Sequence, residues 1–82
     1  MNIRRNADQF DQAHDHAVEQ ALTEKESAAH ALYRAELALH DAHQTHVDEW
    51  IRAAHDHLHA AVLRYAAAGE QLAAIGRPTV AA

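Results

Sequence analysis

A chain of 82 residues is one domain at most, and one this short buries only a thin core unless it shares that core with a partner. Its 49% hydrophobic content overstates the core, because about a quarter of the chain is alanine, which adds little apolar area per residue. The formal charge of −5 and the scattering of its seven Lys and Arg argue against nucleic-acid binding, which needs a clustered basic face.

Alanine, Glu, Gln, Leu and Arg favour helix. The two glycines and the single proline all lie at or after Gly69, whereas a β fold needs turn residues spread along the chain. The expectation is therefore an all-α protein. With no cysteine, disulfides and thiolate metal sites are excluded. No apolar run is long enough to span a bilayer and no signal-peptide pattern opens the chain, so the expected setting is the cytoplasm of a bacterium or its virus, away from membranes.

In chain order, residues 1–6 read as a flexible arm. Asn6 is a candidate N-cap with Gln9 at capping-box spacing, which starts a first helix near Ala7. Its apolar stripe runs Val18, Ala21, Lys25, Ala28, Leu32, Ala35, Leu39, Ala42 and His46, with Ala21, Ala28, Ala35 and Ala42 in one heptad position. A second stripe, Val47, Ile51, Ala54, Leu58, Ala61, Tyr65, Ala68, Leu72 and Ile75, repeats the design with stricter 4-3-4-3 spacing.

Between the two stripes the phase slips at residues 43–47. A tight turn explains the slip, with Thr45 capping the second helix and Asp48 and Glu49 in its first turn, where carboxylates suit the helix dipole. The rival is one uninterrupted helix with a stutter, since Leu39, His43, Val47 and Ile51 are also spaced 4-4-4. Packing favours the turn, because an antiparallel pair sets the alanines of one helix opposite the large residues of the other. Leu32, Leu39, Ile51, Leu58 and Leu72 are then expected to carry the stability.

The expected architecture is thus an antiparallel two-helix hairpin, an alanine-rich coiled coil over residues 7–76 with helices about 7–43 and 46–75. Gly76 and Pro78 stop the second helix, and 77–82 form a flexible tail. Gly69 inside the second stripe weakens it by roughly 1 kcal/mol relative to alanine. Tyr33, Leu37, Trp50, Val62 and Leu63, with Leu22, fall off the main stripes and form a candidate second face. That face predicts a homodimer with a four-helix core, or a contact with another protein.

Nine histidines are the compositional oddity. His55 and His59 stand at i, i+4, a spacing by which two imidazoles share a zinc or nickel ion. His40, His43 and His46 run at i, i+3, i+6 toward the turn, so that in a hairpin His40 or His43 could complete a site with His55 and His59. Protonating all nine would add nine positive charges and carry the formal charge from −5 to +4 between neutral and mildly acid pH. No catalytic motif, phosphate loop or bound cofactor is indicated, and Ser27, Thr23, Thr45 and Thr79 lack the glycine-rich turns of nucleophile sites.

In length, in its helix-turn-helix build and in the mid-chain Trp50, the chain is similar to the small secreted helical hairpins of the WXG100 type. The resemblance covers layout only. Trp50 is followed by Ile51 and Arg52 rather than by a Trp-x-Gly turn, and Glu70 falls one place late after Tyr65 for the family's export signal. The functional expectation is a small non-enzymatic interaction module, that is, an adaptor, inhibitor or structural subunit. The alternatives are a histidine-based divalent metal binder and a secreted hairpin of WXG100-like layout.

Overall fold

The computed structural model describes residues 2–76, with side chains from residue 12 onward. Two helices, α1 (Asn2–Thr45, 44 residues) and α2 (Asp48–Gly76, 29 residues), fold back on each other as a hairpin. The uninterrupted-helix alternative is excluded by the turn at His46 and Val47. α1 begins at Asn2 rather than near Ala7, so Asn6 lies inside the helix instead of capping it and the expected arm is helical backbone from Asn2. No glycine or proline stands there to stop the helix from running on. The expected tail, residues 77–82, lies outside the described residues. α2 is helical through Gly76, the last described residue. Neither helix is long and apolar enough to cross a membrane, among the described residues.

The turn is built differently from the expectation. His46 sits at φ 58°, the left-handed region, and its N–H donates to the His43 carbonyl at 3.3 Å. This is the backbone geometry that closes many helices, normally with glycine at the left-handed position. Thr45 belongs to this closure of α1 and does not cap α2. Its hydroxyl donates to the Ala42 carbonyl at 2.6 Å and accepts the Val47 N–H at 3.2 Å, relaying a bond that the backbone would otherwise make directly. The residue that opens α2 is Val47, whose carbonyl accepts from the N–H groups of Trp50 (3.1 Å) and Ile51 (3.0 Å). Val47 offers no side-chain acceptor, but Asp48 and Glu49 place negative charge on the first turn of α2, as expected.

Among the described residues the fully buried core is alanine alone: Ala21, Ala28, Ala35 and Ala42 from α1 and Ala61 and Ala68 from α2, with Ala28 and Ala35 at 0% exposure. Leu32, Leu39, Ile51, Leu58 and Leu72 are only half-buried, and Tyr65 is exposed. The reason is geometric. Two helices with alanine rows come together along those rows, and each larger side chain then lies along the groove, covered on one flank and open on the other. The molecule measures 68 × 26 × 13 Å, a layer one helix thick.

Candidate functional site

A layer of two helices has two broad sides, and three cross-helix contacts tell them apart. On one side the Lys25 ammonium stands 6.0 Å from the centre of the Tyr65 ring, and the His43 and His55 rings meet edge to face at 5.8 Å. On the other side Arg64 Nε donates to Glu24 Oε1 at 2.7 Å while its Nη2 donates to Ser27 Oγ at 3.2 Å. This bond holds the Glu24 carboxyl below the ordinary glutamate range and pushes the Arg64 guanidinium up.

Helical steps of three, four and seven return to the same side, so these contacts sort the remaining residues. Stepping from Lys25 reaches Val18, Leu22, Ala29, Leu32, Glu36 and Leu39. Stepping from Tyr65 reaches Ile51, Leu58, Val62, Gly69 and Leu72. The same steps from Glu24 and Arg64 reach Gln20, Ser27, Ala31 and Ala38, and Trp50, His57, Ala60, Ala67 and Gln71; among the described residues, nothing apolar there exceeds alanine apart from Trp50 at the tip and Ile75 at the far end. The hairpin therefore has one side rich in large apolar residues along its length and one that is small and polar between its ends. Local spacing could not reveal the Arg64 bridge, because Glu24 and Arg64 are 40 residues apart in the chain.

The expected contact residues divide between places. Leu22, Tyr33, Leu37, Trp50, Val62 and Leu63 are all 45% to 60% exposed. Val62 and Leu22 lie on the apolar side, with Tyr33 at its margin beside Ala29. Leu37 and Leu63 each follow a buried alanine, Ala35 and Ala61, by two residues, which turns them to the outer edges of the layer. Trp50 stands in the first turn of α2, at the hairpin tip.

The candidate metal ligands divide as well. His43 and His55 are brought together from opposite helices, while His40 and His59 do not join them. Among the described residues no group of three or more His, Cys, Asp or Glu is placed to hold a metal ion. The depression bounded by His16, Glu19, Gln20, Thr23, Glu24 and Ser27 is a stretch of α1 surface, lined by one helix. No protein-family model, curated protein or solved structure matches the chain. Fold and surface together define a two-helix hairpin with one apolar side.

Proposed function

We propose that the protein is a small non-enzymatic interaction module that associates with itself to form a four-helix core and presents helical surface to a further protein. One observation carries the reading: among the described residues the hairpin buries no side chain larger than alanine, while six large apolar side chains stand at 45% exposure or more in addition to Tyr65. Burial of apolar area is the main source of folding free energy, and alanine supplies the least of it. A layer one helix thick gains the missing burial by stacking on another layer. Sedimentation velocity from nanomolar to high micromolar concentration tests this. A dimer is expected, and a monomer with intact helical circular dichroism across the whole range would overturn it.

A second reading, a divalent metal bound through histidine, is favoured by the His43–His55 pair. Two imidazoles on one tetrahedral zinc, with Zn–N near 2 Å, place their ring centres ~5 Å apart, close to the observed 5.8 Å. Two ligands leave half of the coordination sphere to other groups. Calorimetric titration of zinc and nickel, with His43→Ala and His55→Ala as controls, separates the readings. Saturable binding at sub-micromolar affinity that both substitutions abolish would establish the metal function, and non-saturating binding would leave the interaction reading.

A further inference from the structure

The apolar side of the hairpin is self-complementary. On α1 its residues run Val18, Leu22, Lys25, Ala29, Leu32, Glu36, Leu39, His43, a row of alternating four- and three-residue steps centred between residues 30 and 31. Laid antiparallel on an identical row, it sets Leu22 against Leu39, Lys25 against Glu36 and Ala29 against Leu32. Inside the end pair of Val18 and His43, each apolar residue meets an apolar one, the small residue meets a large one, and the two charges meet their opposites. The row on α2 is centred at Val62. Reversed in the same way, it sets Ile51 against Leu72, Leu58 against Tyr65 and His55 against Gly69. The two centres lie within about one helical turn of each other along the hairpin, because the stacking of Lys25 on Tyr65 and the bonds of Arg64 to Glu24 and Ser27 place Val62 across from residues 26–29.

We propose that a second copy of this chain covers this side, with the two turns at opposite ends and α1 lying on α1, so that Lys25 of each copy pairs with Glu36 of the other. This identifies the partner surface of the self-association proposed above and rests on that reading. Charge selects the arrangement. The other two-fold stacking, with both turns at one end, lays Lys25 over α2 near Val62, Tyr65 and Gly69, where there is no carboxylate, and sets Glu36 over Ile51, His55 and Leu58, where no lysine or arginine stands in the row.

Gly69 supports the same arrangement from an independent direction. A Cβ added there meets nothing within 4 Å, so nothing within the hairpin requires a glycine in the middle of this helix. In the proposed dimer it is the gap that receives His55 of the other copy. The area is sufficient: rows ~32 Å long on two helices spanning ~20 Å cover roughly 600 Å² per copy in projection, about 1,200 Å² together, where stable interfaces begin.

The chain contains no cysteine, which makes single-cysteine cross-linking clean. Only a residue on the two-fold axis meets its own copy. Val62→Cys is therefore expected to link into covalent dimers with a short thiol-reactive cross-linker, while Leu22→Cys and Ala60→Cys chains, each alone, stay unlinked and a mixture of Leu22→Cys with Leu39→Cys chains links. In the uncross-linked protein, Lys25→Glu or Glu36→Lys alone places like charges together at two symmetric positions and is expected to weaken association by about tenfold or more. The double variant restores the pairs and the affinity. If sedimentation shows a dimer but Val62→Cys stays unlinked, or the double charge swap fails to rescue, this arrangement is wrong while self-association stands. A monomer at every concentration removes both.

Discussion

Replacing His46 with glycine tests the turn on which the whole hairpin depends. His46 holds φ 58° and its side chain is exposed, so its substitution loses no packing. An L-residue in the left-handed region carries about 1–2 kcal/mol of strain that glycine lacks. Against that gain stands the greater freedom of glycine in the unfolded chain, worth ~0.4–1 kcal/mol. His46→Gly should therefore stabilise the protein by about 0.5–1 kcal/mol, which raises the melting midpoint by about 2–8 °C for a chain of this size. The His46 N–H bond to the His43 carbonyl survives the change, because it belongs to the backbone. Thermal melts followed by circular dichroism at one fixed protein concentration measure the effect, with His46→Ala as the control that keeps a β-carbon and gains nothing. His30→Gly, at an exposed position inside α1, is the counter-example and should lose roughly 1 kcal/mol. If His46→Gly loses as much as His30→Gly, residue 46 is helical and the hairpin reasoning fails.

The alanine core makes Ala28→Leu a severe change: at 0% exposure there is no room for three more carbons, and ~1–3 kcal/mol of overpacking should lower the midpoint in urea titration at any protein concentration. Leu58→Ala separates the isolated hairpin from the dimer. Half-buried, Leu58 contributes about 1 kcal/mol in a single hairpin, whereas a second copy over it raises the loss to ~2–5 kcal/mol and makes the melting midpoint depend on concentration; a small loss with no such dependence would contradict the stacked layer. The Glu24 carboxyl should titrate below the ordinary glutamate range by NMR, and Arg64→Gln should return it there. The sign follows from the bond favouring the charged form: its contribution to stability is present above the unfolded glutamate pKa and is lost as pH falls through the lowered folded value.

Histidine placement shows how a local pattern competes with its surroundings. The i, i+4 spacing of His55 and His59 was legible on one helix, but the imidazole that meets His55 comes from α1 and was one of two candidates there. Which of His40 and His43 reaches across depends on where the turn falls and how the helices are rotated. The layer's two-sidedness was hidden for a similar reason. Heptad spacing marks the seam residues, but the large residues within one stripe lie to one flank of the seam, and that both helices offer the same flank appears only when they are set side by side.

What the chain determined by itself was helicity and the place of the turn. Alanine and unbranched side chains favour helix at every position, and the slip in apolar phase at residues 43–47 marks where one stripe cannot continue as the next. Only the tertiary structure decided how the turn is made and what the seam buries. Thr45 carries an oxygen that suits either the end of one helix or the start of another, and backbone position assigned it to the end of α1. The stripes contain alanine and leucine alike, yet two helices approach until their smallest side chains touch. That contact buries the alanines and leaves the leucines half open, because a single pair of cylinders touches along one line and has no second surface to close over the rest.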